Sequence, residues 1–109
     1  LIKILKQNSA SFDSAMLYIS DHGESLGENG IYLHGLPYSL APSAQTHVPM
    51  YLWLSQTFAN NMSIDTDCAA NKKSLPYSHD NLFHTMLGIM DVKTSSYKKN
   101  LDIFNSCRK

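Results

Sequence analysis

The stretch Ala15-Met16-Leu17-Tyr18-Ile19-Ser20-Asp21-His22-Gly23-Glu24 decides the fold class. Its first five residues form a continuously apolar run, and polar residues bound this run on both sides. Such a run is typical of a β-strand that is covered on both faces. We therefore predict a central parallel strand at residues 15–19. The polar residues that follow then lie at the carboxyl end of this strand, where open α/β sheets place their ligand sites.

Apolar spacing predicts helices and one further strand around this stretch. Residues 1–8 have helical spacing but no initiating Met or signal-peptide cleavage site, so we expect them to continue a helix that begins further upstream. Residues 50–54 predict a second strand, and residues 58–62 predict a short helix. The order helix, strand, loop, strand, helix predicts an α/β fold.

The second half of the chain carries the clearest helical pattern. Apolar residues at spacings of three and four form one stripe after Ser78: Leu82, Phe83, Met86, Leu87 and Met90. We predict a helix here whose apolar stripe packs in the core. Residues 97–104 predict a weaker helix, and the polar residues 65–78 predict a loop. Residues 20–42 contain four of the five glycines and predict a long surface loop, in which Asn29-Gly30 closes a small hairpin.

The composition is that of one globular domain or of a part of one. The chain has 109 residues, of which 43% are hydrophobic and 17% charged, with nine basic and nine acidic side chains. This balance argues against intrinsic disorder. Zero net charge, without a Lys or Arg run longer than two, argues against a nucleic-acid partner. No apolar stretch approaches the roughly 20 residues that cross a bilayer, so we expect no membrane span within these residues.

Asp21 and His22 are the leading candidates for a functional site. A carboxylate and an imidazole on one strand-to-loop turn can both bind a zinc ion, at about 2.0 to 2.2 Å. Gly23 gives the backbone the conformational freedom to orient both side chains toward one ion. The alternative is that Asp21 caps a turn and that His22 is an ordinary surface histidine, which is the more frequent case for an isolated Asp-His pair.

A longer pattern surrounds this pair. It comprises residues 16–35, Ala41-Pro42, Gln45-Thr46-His47-Val48-Pro49, residues 80–88 and residues 101–108. This pattern resembles the C-terminal part of the catalytic domain of the lipid A phosphoethanolamine transferases, the group that includes the transferable colistin-resistance enzymes. The group belongs to the sulfatase-like branch of the alkaline phosphatase superfamily. The resemblance implies that residues 1–109 form the C-terminal portion of an α/β sulfatase-like domain, with a mostly parallel sheet flanked by helices, whose upstream half and membrane domain lie outside this chain.

The resemblance also assigns roles to four residues. Asp21 and His22 match two zinc ligands of the family, whereas a Glu ligand and the Thr nucleophile are expected upstream of Leu1. Glu24 and His34 match positions associated with the substrate head group or with a second metal. A carboxylate and an imidazole in the same loop also suit binding of an ammonium group and proton transfer to a leaving oxygen. The alternative for both is a solvated or hydrogen-bonded loop residue.

The implied activity is zinc-dependent transfer of phosphoethanolamine from phosphatidylethanolamine to lipid A. It would take place on the periplasmic side of the bacterial inner membrane, to which an N-terminal domain would attach the enzyme. The segment alone is expected to be inactive because the nucleophile lies upstream. Two alternatives remain at this point: another sulfatase-like sulfatase, phosphodiesterase or transferase with a different glycolipid acceptor, and a non-enzymatic metal-binding module.

Cys68 and Cys107 are the only cysteines, and they lack the spacing of a zinc or redox motif. They form either one disulfide or two free thiols, and the resemblance favours the disulfide because the periplasm is oxidising. We expect His47 to be a packed structural histidine, His79 to lie at a helix start or on the surface, and His84 to occupy a polar position of its helix. None of these three histidines receives a catalytic role.

Overall fold

The computed structural model describes all 109 residues and contains five α-helices and four β-strands. The helices are α1 (Ile2–Asn8), α2 (Ser43–Thr46), α3 (Gln56–Asn61), α4 (Thr66–Asn71) and α5 (Asp80–Ile89), and the strands are β1 (Ala15–Ile19), β2 (Ser25–Leu26), β3 (Tyr32–Leu33) and β4 (Met50–Leu54). Single 3-10 turns occupy Glu28–Gly30, Lys99–Leu101 and Asn105–Cys107. None of the helices has the length and apolarity that a bilayer crossing requires.

The strands form two small sheets, β1 with β4 and β2 with β3. Ser20 N donates to Pro49 O at 3.4 Å, and Ser55 N donates to Ser14 O at 2.8 Å. The residue number on one strand falls as that on the other rises, so β1 and β4 run antiparallel. β2 and β3 are antiparallel as well.

The predicted strand at residues 15–19 is therefore confirmed, but its predicted parallel pairing is wrong for these strands. A continuously apolar run indicates that a strand has apolar neighbours, and it carries no information on the direction of the partner strand. The mixture of helices and strands agrees with the predicted α/β class. The predicted mostly parallel sheet is not found among the strand pairs of these 109 residues.

The chain divides into two compact units, residues 1–15 with 54–109 and residues 16–53. The buried hydrophobic side chains belong to the first unit: Ala59, Ile64, Ile89, Ile103, Phe104 and Cys107. The second unit contains β2, β3 and α2, together with most of β1 and β4. Its buried side chains are polar, namely Ser25 and Gln45.

Helix α5 buries a different face from the one that its apolar stripe predicts. His84, Thr85 and Ile89 are buried, whereas Phe83 and Met90 of the stripe are exposed. The buried polar groups are satisfied, since Lys98 N donates to His84 Nδ1 and Ile103 N donates to Thr85 Oγ1, both at 3.1 Å. Hydrogen bonds from Lys98 N and Ile103 N thus satisfy the polar groups on the buried face of α5.

Two other predictions in the first unit are corrected. Residues 97–104 form only a single 3-10 turn, Lys99–Leu101, and not a helix. The predicted loop at 65–78 contains helix α4. Asp65 caps this helix, since its side chain accepts a hydrogen bond from Cys68 N at 2.9 Å. Asp is a common N-cap residue, but the polar composition of the segment led to the prediction of a loop.

The C-terminal residues are bonded to α4 and to the residues just before it. A disulfide joins Cys68 to Cys107, whose Cα atoms lie 5.5 Å apart, as the resemblance predicted. Asp65 N donates to Cys107 O at 2.8 Å, and Lys109 N donates to Ser63 O at 3.0 Å. Since covalent and backbone bonds act together here, the end of the chain is part of the folded first unit.

Candidate metal and head-group site

Three of the four predicted site residues converge in the second unit. The ligand atoms of His22, Glu24 and His34 all lie within 4.8 Å of one another, and the three side chains are exposed or partly exposed. His34 Nδ1 lies 2.7 Å from Glu24 Oε2. The rings of His22 and His34 stack with their centroids 3.9 Å apart. We call these three residues the His-Glu-His cluster.

The pairing of β2 with β3 explains why Glu24 and His34 meet. Ser25 is paired with Leu33 in this antiparallel hairpin. The next pair outward is Glu24 with His34, and residues directly opposite each other on antiparallel strands have neighbouring side chains. The predicted turn at Asn29-Gly30 supports this register, because both residues adopt positive φ values, 54° and 74°.

Gly23 allows the close approach that places His22 and Glu24. Gly23 N donates to Gln45 O at 2.9 Å, and a Cβ at this position would collide with the carbonyl oxygen of Ala44. Any other residue would therefore push the site segment away from α2. The glycine acts here through the space it leaves, since no positive φ is involved.

Hydrogen bonds of the two imidazoles define which nitrogen can bind a metal. His22 Nδ1 lies 2.9 Å from Gly23 O, and a carbonyl oxygen can only accept, so Nδ1 carries the proton. His34 Nδ1 likewise donates a hydrogen bond to the Glu24 carboxylate, which accepts it. In the neutral form of each ring, Nε2 is then the nitrogen with a free lone pair, which is the arrangement that second-sphere partners impose on metal-binding histidines.

Asp21 lies beside the cluster and outside it. Its Oδ1 accepts a hydrogen bond from His22 N at 3.1 Å, and its Oδ2 lies 3.8 Å from His22 Nε2. The Asp21 side chain is 90% exposed. The structure thus keeps Asp21 next to His22, while the role of the two as zinc ligands stays a prediction.

Backbone hydrogen bonds in the hairpin favour the ionised form of Glu28. The backbone N–H groups of Glu28 itself and of Leu26 lower the pKa of the Glu28 carboxyl, and Leu26 N donates to Glu28 Oε2 at 2.7 Å. Glu28 therefore caps the turn of the hairpin, and Glu24 remains the carboxylate that faces the imidazoles.

The other histidines lie outside the cluster. His47 ends α2 and is exposed, so the prediction that it is packed is wrong within this chain. His79 occupies the N-cap position of α5, as predicted. His84 is on the predicted helix but buried, and it accepts a backbone hydrogen bond. The apolar stripe of this helix did not indicate that the polar side chain of His84 would be buried.

Comparisons with known proteins agree with this architecture. The Sulfatase family profile matches residues 1–92. The chain is 50% identical over 109 residues to phosphoethanolamine transferase EptA of Salmonella typhimurium, covering 99% of the chain and 20% of that protein. It is 42% identical over 98 residues to phosphatidylethanolamine transferase Mcr-1 of Escherichia coli, covering 89% of the chain and 16% of that protein.

Solved structures extend the likeness to three dimensions. The soluble domain of lipooligosaccharide phosphoethanolamine transferase A from Neisseria meningitidis superposes with a TM-score of 0.90 at 46% identity, over 99% of this chain and 34% of that one. The C-terminal periplasmic domain of EptC from Campylobacter jejuni gives 0.83 at 48% identity, over 99% and 33%. The chain belongs to the sulfatase family, and the relatives that it matches over nearly its whole length are named phosphoethanolamine transferases. It spans about one fifth of the length of the curated transferases EptA that it matches.

Proposed function

We propose that the protein containing this chain transfers phosphoethanolamine from phosphatidylethanolamine to lipid A, with zinc at a site that includes Asp21 and His22. The observation that carries the proposal is the His-Glu-His cluster next to Asp21, in a chain 50% identical to a named phosphoethanolamine transferase. A carboxylate and imidazole nitrogens are a donor set that zinc accepts.

The residues of this chain suit the chemistry of the zinc site. Hydrogen bonding of His22 Nδ1 to Gly23 O leaves Nε2 as the nitrogen that would hold a metal, and Asp21 would offer carboxylate oxygens beside it. When bound, zinc supplies charge stabilisation to phosphoryl oxygens and lowers the pKa of an attacking hydroxyl. The hydroxyl itself is expected from a Thr upstream of Leu1.

Glu24 and His34 suit the head group. The Glu24 carboxylate can hold the ammonium group of phosphoethanolamine through charge-assisted hydrogen bonds. In its imidazolium form, His34 would keep Nδ1 on Glu24, 2.7 Å away, and would pass its Nε2 proton to a leaving oxygen as a general acid. A second metal held by the cluster would use the same atoms, so the two roles compete for one place.

The proposed location is the periplasmic face of the inner membrane. One solved relative is described as an integral membrane protein and another as a periplasmic domain. The Cys68–Cys107 disulfide is compatible with an oxidising compartment of this kind. A cationic group added to a lipid A phosphate lowers the attraction of the membrane for cationic peptides, from which we expect protection against colistin.

Two substitutions in the full-length protein test the proposal. Asp21→Ala and His22→Ala each remove one expected ligand, so we expect zinc content to fall and transfer from a labelled phosphatidylethanolamine to lipid A to be lost. His47→Ala, at an exposed histidine outside the site, is the matched control and should keep both. Normal zinc content and transfer in the Asp21 and His22 variants would refute the ligand assignment.

A further inference from the structure

Gln45 contacts all three segments that carry the His-Glu-His cluster. Its backbone oxygen accepts from Gly23 N at 2.9 Å, between His22 and Glu24. Its side-chain Nε2 donates to Ser25 Oγ at 2.9 Å and to Leu33 O at 3.1 Å. Ser25 and Leu33 directly adjoin Glu24 and His34. One residue of α2 is thus bonded next to every member of the cluster.

The hairpin needs such a tie. β2 and β3 have two residues each, and a two-stranded hairpin of this size is marginally stable in water. Gln45 spans the pair Ser25 and Leu33, which sets the register that brings Glu24 opposite His34. Because a one-residue slip would turn these side chains to opposite faces, the bonds of Gln45 act on the geometry of the site.

The chemistry of the amide also points to this role. Gln45 is 6% exposed, and its Oε1 is buried without a hydrogen-bond partner. An apolar side chain of similar length would fill the same space without leaving a polar atom unpaired. An amide nitrogen, however, supplies two donors from one atom, as the acceptors Ser25 Oγ and Leu33 O require.

We propose that Gln45 is a positioning residue that sets the spacing of His22, Glu24 and His34. The proposal rests on the proposed function, since it takes the cluster to be the place where a metal or head group binds. Gln45 itself touches neither, and it acts through the backbone and side chains beside the three residues.

The test uses Gln45→Met in the full-length protein, because Met keeps the length and removes both donors. Co²⁺ is the probe, and the part of its binding that His34→Ala abolishes is assigned to the cluster. We expect Gln45→Met to weaken this part at least about tenfold and to change its visible absorption spectrum, as losses of second-sphere partners do. Gln56→Met is the matched control, because Gln56 is exposed and its amide donates only to Asn60 at 2.9 Å on the surface of α3.

A second variant and a metal-free measurement complete the design. Ser25→Ala removes one of the two acceptors with little change of volume, and we expect it to weaken Co²⁺ binding as well. This variant keeps the test decisive if Gln45→Met does not fold. Crystal structures of the metal-free variants should show the cluster atoms spread beyond the 4.8 Å seen here. Folded variants with unchanged cluster geometry and unchanged Co²⁺ binding would overturn the proposal. Absence of His34-dependent Co²⁺ binding in the unsubstituted protein would count against a second metal in the proposed function, and the metal-free structures would still decide the role of Gln45.

Discussion

Individual hydrogen bonds decide what the candidate site presents to a ligand. The protons on Nδ1 of His22 and His34 are directed to Gly23 O and to the Glu24 carboxylate. Both rings therefore keep Nε2 for a metal or a substrate oxygen. Under the proposed function, Glu24 binds the ammonium group and also orients His34, so its removal would affect both roles.

We expect Glu24→Gln and His34→Ala to leave the tight zinc site in place and to slow transfer by at least about tenfold, the low end for loss of a general acid or base. Gln keeps the shape of Glu24 but loses the negative charge that holds an ammonium group and orients His34. Zinc content and transfer rate of the full-length variants check this expectation. Rates equal to those of the exposed-histidine variant His47→Ala would assign both residues to structure alone.

A buried ion pair, Asp102 with Arg108, explains a glycine in the first unit. The Asp102 side chain is completely buried and lies beside Arg108 Nη1 and the hydroxyl of Tyr97, both at 2.5 Å. Burial raises the pKa of Tyr97, and the neighbouring Asp102 charge raises it further. Gly88 of α5 faces this group, and a Cβ there would collide with Asp102 and Arg108. The glycine in the middle of the helix is thus explained by a buried ion pair.

At the scale of elements, short helices and hairpins rely on their ends. α4 has six residues and is capped at its N-terminus by Asp65, whose carboxylate accepts a hydrogen bond from Cys68 N. This hydrogen bond, with the nearby Lys109 ammonium as a smaller contribution, lowers the pKa of Asp65. A helix of this length is not stable by itself, so its capping interactions and its attachment to the rest of the unit decide whether it forms.

The lowered pKa of Asp65 predicts an acid dependence of stability. A carboxyl whose pKa is lower in the folded state stabilises that state above its ordinary pKa of 3.8, and this contribution is lost as the pH falls through the lower, folded-state value. Asp65→Asn keeps a capping side chain but does not titrate. We expect the difference in unfolding free energy between the two proteins to shrink as the pH falls below about 4, measured by urea unfolding at several pH values.

The matched control for this experiment is Asp67→Asn, in the first turn of the same helix. It should retain the acid dependence that Asp65 produces. A constant difference between Asp65→Asn and the unsubstituted protein from pH 7 to pH 3 would contradict the role assigned to the cap.

At the scale of the whole molecule, bonds between distant residues hold the first unit together. The disulfide links residues 39 positions apart, and an isolated bridge pairs Ile64 with Arg108 in antiparallel sense. α5 adds hydrogen bonds to the segment at 98–103. Residues between 64 and 103 are therefore linked at several points to one another and to the C-terminal residues.

Replacing both Cys68 and Cys107 by Ser should lower the free energy of unfolding by up to about 4 kcal/mol, the chain-entropy value for a loop of this length. The disulfide restricts the unfolded chain, and the double variant loses this restriction. Urea unfolding of the full-length protein without reductant measures the difference. Dithiothreitol should lower the stability of the unsubstituted protein and leave the double variant unchanged, and equal stabilities without reductant would show that the bridge contributes nothing.

The sequence by itself determined the features that depend on neighbouring residues. The apolar run predicted β1, the spacing of residues 82–90 predicted α5, and Asn29-Gly30 predicted the hairpin turn. Resemblance to a known family added Glu24, His34 and the disulfide. Local patterns suffice in these cases because strand and helix periodicity and turn geometry arise within a few residues.

Only the tertiary structure decided the features that depend on distant residues. These are the antiparallel direction of β4, the polar buried face of α5, the meeting of Glu24 with His34, and the three bonds of Gln45. Each results from pairing between segments that lie ten or more positions apart, and the same local pattern is compatible with several such pairings. Buried polar groups need hydrogen-bond partners, and the tertiary fold determines which residues these are. Hydrophobic spacing therefore does not predict them.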